Sequence, residues 1–335
     1  MGPVHVLVIG GNRFVGLLAT WRLLAGRHRV TLFNRGTLPD PFGDRVERLV
    51  GDRTGPDLER LLAGRRFDGV LDLAAFTGED GRRAADLLRG RVGHYLMVST
   101  GQVYLVRPGC PSPAREVDYD GPVMARPDDP DDLWDWQYGM GKRACEDALA
   151  AAGPAGFPAT RLRIPMVNGA LDYHRRLEGY LWRLVDGGPV LVPDGGAHRV
   201  RHVAGDEVAR LLCGLLGREE TFGQAYNAAQ QEAPTLLELL AALRQATGSR
   251  AELVPVPAAR LRAAGLAPVE VSPFSGRWMS FLDPSRAARE LGFVHAPLDR
   301  VLHGVVSGFL SHPPADRPKG YARRAEELAL AREVG

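Results

Sequence analysis

Two residues in "WDWQYGMGKRACE" (134–146) have the types and the spacing to move a proton: Tyr138 and, four positions on, Lys142. On a helix, positions four apart share a face. A free phenol, with a pKa of about 10, is a poor base at neutral pH. An ammonium held beside it favours the phenolate and makes proton exchange with an alcohol or ketone feasible. Lysine is scarce in this chain: of 42 basic residues only Lys142 and Lys319 are lysines. With 8 tyrosines, chance gives about 0.05 Tyr–Lys pairs at this spacing, so the spacing favours a function. Such a pair also needs a hydroxyl to hold the substrate oxygen, and "MVSTGQVY" (97–104) offers Ser99 and Thr100 at the end of an apolar run.

The surrounding elements alternate strand and helix, which predicts a parallel sheet flanked by helices. Strands are expected at 4–10, 28–33, within 46–52, at 68–76, 93–100 and 159–164. Helices are expected at 15–26, 57–64, 80–90 and 135–152. On this reading Ser99 and Thr100 lie at the carboxyl end of the fifth strand, where open α/β sheets bind their ligands. The Pro- and Asp-rich stretch 105–133 is long for a loop and is expected to cover a site or carry small structure of its own. Its "DDPDD" run (128–132) reads as a solvated loop rather than a metal site, because no further ligand cluster has suitable spacing. Beyond 165 the pattern is irregular, with helix-like runs at 180–188, 206–217 and 235–248 and a strand-like "QAYNAA" (224–229). The C-terminal segment reads as a surface helix or frayed tail.

The turn after the first strand reads "VIGGNRFVGLL". Gly10 and Gly16 take the outer positions of a glycine-rich loop through which backbone N–H groups and a helix dipole meet a pyrophosphate. An acid at the end of the second strand would accept from a ribose 2′-hydroxyl, whereas arginine suits a 2′-phosphate. This chain has "TLFNRG", with Asn34 and Arg35 and no acid, and Arg13 inside the turn offers a second positive fork. The expected cofactor is therefore NADP(H) in preference to NAD(H).

Taken together, "VIGGNRFVG", "STGQVY" and "YGMGK", with weaker echoes in "RIPMVNG", "RHVAGDEVA" and "RAARELGF", resemble the extended short-chain dehydrogenase/reductases of the NAD-dependent epimerase/dehydratase family. The resemblance spans almost the whole chain. It implies a doubly wound, Rossmann-type α/β fold with a smaller C-terminal substrate-binding region. The dinucleotide domain would be 1–165, with 202–230 returning to it, the substrate region 166–201 and 231–315, and 316–335 a terminal helix or tail. It implies Thr100 as hydroxyl donor, Tyr138 as general acid/base, and Lys142 as the residue that binds the nicotinamide ribose and tunes the tyrosine. Dinucleotide contacts are implied for Gly10, Asn12, Arg13, Phe14, Val15, Gly16, Asn34, Arg35, Asp52, Leu73, Ala74, Ala75, Ser99, Lys142, Pro165 and Val167. Substrate contacts are implied for Gln102, Met166, Arg199 and Arg201, the two arginines being equally readable as surface residues. His174 and His198 are weaker candidates. A homodimer is implied as well.

The chain departs from the family's pattern at three places. Arg13 replaces the middle glycine, as in atypical members, some of which bind RNA. Leu73 stands where a histidine is usual. Gly101 and Gln102 replace the acid pair of the sugar 4,6-dehydratases, which argues against that elimination. Three readings stay open: an NADP(H)-dependent oxidoreductase, a nucleotide-sugar epimerase that keeps its NAD, and a catalytically silent RNA- or dinucleotide-binding protein.

Composition bounds the rest. The 335 residues are 45% hydrophobic and 24% charged, enough for a large core, and a net charge of +2 gives no electrostatic case for a dedicated nucleic-acid or membrane-surface binder. Cys110, Cys145 and Cys213 lack metal-ligand spacing and read as packing residues. No apolar run reaches membrane-span length, so a soluble, cytoplasmic protein is expected.

Overall fold

The computed structural model describes residues 2–334, which form two compact units. The first comprises the chain up to Pro165 together with Gly205–Ala229 and Ser280–Val294; the second comprises Met166–Ala204, Gln230–Met279 and the chain from His295 on.

The first unit is built on a parallel sheet of seven strands: β1 (His5–Ile9), β2 (Arg29–Asn34), β3 (Val46–Val50), β4 (Gly69–Asp72), β5 (Tyr95–Thr100), β6 (Ala159–Ile164) and β10 (Ala225–Asn227). Their spatial order is β3-β2-β1-β4-β5-β6-β10. The strand order reverses between β1 and β4, the switch point at which doubly wound sheets open a ligand crevice. Strands covered by helices on both faces must be apolar throughout, and "VLVI" of β1 is buried along its length. The flanking helices are α1 (Phe14–Ala25), α2 (Asp57–Leu62), α3 (Gly78–Leu88), the short α4 (Gln102–Leu105), α5 (Pro130–Ala152) and, after the return from the second unit, α7 (Gly205–Leu215).

Helix α5 starts five residues before the predicted 135. The "DDPDD" run is its N-terminus: Asp129 caps the N–H groups of Asp131 and Asp132 at 2.9 and 3.3 Å, and Pro130 occupies the first turn. The stretch before it is held by a backbone bridge from Ala114 to Leu282, with N–H···O distances of 2.8 Å in both directions. Ser280–Val294, expected in the substrate region, groups with the first unit, to which this bridge and the bonds of Arg286 to Ala225 and Gln224 join it.

The second unit contains two small parallel sheets, β7 (Met166–Asn168) with β9 (His202–Ala204), and β8 (Val190–Pro193) with β11 (Leu253–Val256). Helices α6 (Arg176–Val185) and α8 (Leu236–Thr247) pack into its apolar core with Phe274, Leu302 and Phe309. The C-terminal helix Arg324–Val334 is no frayed tail. Its Glu327 is fully buried against Arg183 at 2.5 Å, and Arg324 pairs with Asp186 at 2.7 Å. No helix among the described residues is long and apolar enough to cross a membrane.

Two buried histidines make the fold acid-sensitive. His94 Nδ1 accepts from the Gly217 N–H, so its Nε2–H donates to Thr160 Oγ1 at 2.8 Å. Burial lowers its pKa to about 4 against the weaker opposing effects of the Leu215 backbone and of Glu220, and burial does the same to His202. A folded-state pKa below the unfolded value means the unfolded chain takes up the proton first. Stability is therefore intact above about pH 6.5 and is lost as pH falls towards 4, by about 3 kcal/mol per histidine. Urea midpoints at pH 7 and pH 4.5 should show this fall, and His94→Gln should remove about half of it, leaving the share of His202.

Candidate active site

Alternation along β5 sends its last two hydroxyls to opposite faces. Thr100 stays partly exposed, its Oγ1 accepting the Gln102 N–H at 3.3 Å. Ser99 points into the protein, where its hydroxyl donates to Glu146 Oε1 at 2.5 Å. Its hydroxyl, 2% exposed and bonded to a carboxylate, is engaged inward, which leaves the backbone of Ser99 for the dinucleotide contact expected of this residue.

Glu146 in turn receives Arg163 through three contacts of 2.6 to 3.1 Å, and Arg163 donates to the Tyr104 hydroxyl at 2.7 Å. Tyr104 passes its proton bond to Asn227 Oδ1 at 2.9 Å, tying β5, α5, β6 and β10 together. Burial disfavours the Arg163 charge, but Glu146 outweighs it and holds the guanidinium firmly protonated. Arg163 is a structural cation, 3% exposed and held by Glu146.

Helix α5 carries Tyr138 and Lys142 on one face. It lies close against the loop that follows β4, where a Cβ on Gly141 would be 2.5 Å from the Phe76 carbonyl oxygen. Lys142 is 2% exposed and donates to the Val98 carbonyl at 2.8 Å. Its ammonium stands 4.7 Å from the Phe76 ring centre and 6.0 Å from that of Tyr138. Burial lowers the Lys142 pKa to about 8, so it is charged at neutral pH and becomes neutral just above it. Tyr138 is half-buried and stacks nearly parallel (11°) on Trp134, itself 66% exposed. Gln102 donates to Asp135 Oδ1 at 2.5 Å, which places a carboxylate one helical turn before Tyr138 and engages the Gln102 amide.

The glycine turn runs from β1 into α1. A Cβ on Gly16 would sit 2.5 Å from the Gly10 carbonyl oxygen, so the close crossing of turn and helix requires glycine there. Arg13 precedes α1 in extended conformation with its side chain exposed, and Phe14 follows at φ +36°, an unusual conformation for a non-glycine residue, with its ring buried. Val15 is buried, and Asn12 donates to the Leu38 carbonyl at 3.0 Å. The first turn of α1 has neither a side-chain cap nor an acid, which leaves its N–H groups and dipole suited to an anion. These features fit a pyrophosphate.

At the end of β2, Asn34 Oδ1 accepts the Gly36 N–H at 2.8 Å and Arg35 is exposed. Asp52, exposed beyond β3, accepts from the N–H and hydroxyl of Thr54, which hold its carboxyl below the usual range with a smaller pull from Arg35. After β4, Leu73 and Ala74 are partly exposed. Ala75 is fully buried in the core. Pro165 is buried at the end of β6.

Met166 and Val167 belong to β7 of the second unit. Arg199 and Arg201 also belong to that unit and bond the carbonyls of Ala233 (2.8 Å) and Gln231 (3.3 Å). His198 bonds the Phe274 carbonyl at 2.7 Å, and His174 lies against Tyr173. Within the first unit, then, Thr100, Tyr138 and Lys142 are positioned by adjoining elements. Sequence reasoning missed Glu146, Asp135 and Phe76; the position of Glu146, four residues after Lys142, was the available signal for it. Cys145 and Cys213 are pushed up to about 12 by burial, as befits packing thiols.

A sheet of this order, with a glycine turn at its switch point and a Tyr–Lys pair on the helix after β5, defines a nicotinamide-dinucleotide fold of the extended type. The profile of the NAD dependent epimerase/dehydratase family matches residues 6–229, and the chain belongs to that family. Among curated proteins it is 26% identical over 262 residues to the chloroplast stem-loop binding protein of 41 kDa b from Arabidopsis thaliana, covering 72% of this chain and 63% of that one. Similar solved structures include the UDP-glucose 4-epimerase of Thermotoga maritima with UDP-glucose (18% identity, 92% of this chain and 99% of that one, TM-score 0.71). Another is the Bordetella bronchiseptica enzyme WbmF with NAD+ (18%, 99% and 96%, TM-score 0.66). A third is the UDP-N-acetylglucosamine 4-epimerase of Methanobrevibacter ruminantium M1 (17%, 93% and 99%, TM-score 0.71). At these identities the likeness is one of fold.

Proposed function

We propose that the chain is an NADP(H)-dependent oxidoreductase acting on a carbinol or ketone of a polar small molecule. The observation that carries this reading is the Tyr138–Lys142 pair, with a buried ammonium 6.0 Å from a half-buried phenol ring on one helix face. In this reading Thr100 holds the substrate oxygen and Tyr138 delivers or accepts its proton. Lys142 keeps the phenolate accessible and binds the nicotinamide ribose. The dinucleotide, held by the glycine turn and the uncapped start of α1, supplies or accepts the hydride. Arg35 and Arg13 receive the 2′-phosphate, and Met166, Arg199 and Arg201 contact substrate. The working form is a homodimer.

The test is a titration of NADPH and NADH into the wild type and Arg35→Ala. The expected result is an NADPH preference of at least about tenfold that the variant loses, the size of a charged hydrogen bond of about 1.5–3 kcal/mol. Equal affinities, or NAD carried through purification in stoichiometric amount, would contradict it and favour the epimerase reading, which the nucleotide-sugar epimerases among the similar structures support.

A second reading, binding of structured RNA, draws on the name of the Arabidopsis relative, whose length this chain spans by only 63%, and on Arg13 in the glycine turn. A gel shift with a stem-loop RNA between 50 and 200 mM salt tests it, since phosphate binding must weaken steeply over that range.

A further inference from the structure

The second unit contains polar side chains that its own packing leaves unmatched. Asn168 is 1% exposed, and neither its amide nitrogen nor its amide oxygen has a hydrogen-bond partner. His202 is 2% exposed with Nδ1 unmatched, and the fully buried Gln230 has Oε1 unmatched. Leaving one such group dry is costly, and most buried polar groups are therefore bonded. Three together need an occupant.

Their placement follows from the strand register. β7 and β9 run parallel, with Met166 opposite His202 and Asn168 opposite Ala204. Directly paired residues of parallel strands, and residues two apart on either strand, share a face. Asn168 and His202 are therefore diagonal neighbours on one face of this small sheet. Met166, on the same face, packs against the apolar core, and the Phe274 ring lies 6.5 Å from that of His202. Gln230 adjoins them: its N–H donates to the His202 carbonyl at 2.9 Å, and its amide nitrogen is anchored on the Ala296 carbonyl at 3.0 Å, which leaves the oxygen as an acceptor.

We propose that this face of the β7–β9 sheet is a ligand pocket in which Asn168, His202 and Gln230 receive an uncharged group presenting a hydrogen-bond donor and acceptor side by side, as an acetamido group or a vicinal diol does. The Asn168 amide supplies an adjacent donor and acceptor whichever way it is turned, the complement of such a group. Burial keeps His202 neutral, with only Glu232 acting on it from a charged side chain. A phosphate would meet no cation among these three residues, and an ammonium no carboxylate. None of these three has a part in the proton or dinucleotide chemistry assigned above; Met166 on the same face is among the proposed substrate contacts, and probe binding is therefore read without dinucleotide or turnover, so that failure of the pocket and failure of that reading are distinguishable.

Saturation-transfer NMR on the full chain tests it with three probes: N-acetylglucosamine, which carries both groups, glucose, which has only the diol, and acetamide, which has only the amide. The wild type should transfer saturation to N-acetylglucosamine and to one of the two simpler probes, and that second signal identifies the recognised group. Asn168→Leu and His202→Phe should each weaken probe binding at least tenfold. Both should also melt about 3 °C or more above the wild type when free, because an unmatched buried polar group has been removed. Asn168→Ser, which retains a polar group but withdraws the paired donor and acceptor, should lose the probes in the same way and serves if the leucine variant does not fold. No transfer to any probe in the wild type would overturn the pocket. So would undiminished transfer in folded variants, or variants that melt lower while binding the probes as before, which is the behaviour of groups satisfied by ordered water.

Discussion

Tyr138→Phe is expected to reduce turnover by about 10³-fold while leaving dinucleotide affinity unchanged, because general acid–base catalysis contributes about 10²–10⁴ and the phenol oxygen is its only polar atom. The ring would keep its stack on Trp134 and its place 6.2 Å from Phe76, so the site's shape is preserved. Lys142→Met is the informative companion. Lys142 is a buried cation that donates to the Val98 carbonyl and lies near both aromatic rings, and removing it should lower turnover and dinucleotide affinity together. Its pKa of about 8 adds a pH signature. Below pH 8 the ammonium is present to favour the phenolate; above it that charge is lost, so turnover in the free-enzyme regime should decline there. A Tyr138→Phe variant with near-normal turnover would remove the proton role from this residue.

Glu146→Ala is expected to destabilise the first unit by about 3–5 kcal/mol, the usual consequence of leaving one member of a buried ion pair uncompensated. Arg163 and Glu146 are 4% and 1% exposed and meet at 2.6 Å. Without the carboxylate, the guanidinium would remain buried with the Tyr104 hydroxyl and the faces of the Tyr104 and Tyr119 rings beside it but no counter-charge bonded to it, and Ser99 would lose its acceptor. At about 2–4 °C per kcal/mol for a unit of this size, the melting temperature should fall by about 10 °C. Replacing both members with apolar residues, as Glu146→Leu with Arg163→Met, should recover part of the loss, since the penalty lies in the unpaired charge rather than in the absence of the pair. A single variant as stable as the wild type in urea denaturation would mean that water reaches Arg163.

The parts of the site that were legible in the sequence are those set by local spacing. The strand–glycine–helix order gave the turn, and the four-residue spacing placed Tyr138 and Lys142 on one face. What escaped depends on partners distant in sequence. Strand alternation separates Ser99 from Thr100, but only the packing of α5 on β5 reveals that Glu146 awaits the Ser99 hydroxyl. The start of α5 was within reach, since an Asp followed by Pro and two further acids is a helix N-terminus written in residue types; the run of acids drew attention to solvation instead. Strands β8 and β11 were hidden by Pro193 and Pro255. Asn168 and His202, 34 residues apart along the chain, become diagonal neighbours only once β7 and β9 pair.

The central claim, a nicotinamide dinucleotide seated on the glycine turn within reach of the Tyr138 helix, is tested most directly by adding NADPH while recording both dihydronicotinamide fluorescence and tryptophan emission. Saturable one-to-one binding is predicted, with energy transfer from tryptophan that Trp134→Phe diminishes. Absence of binding by NADPH and NADH alike, in protein that shifts a stem-loop RNA in a salt-dependent manner, would contradict the claim and leave the glycine turn as part of a nucleic-acid-binding surface.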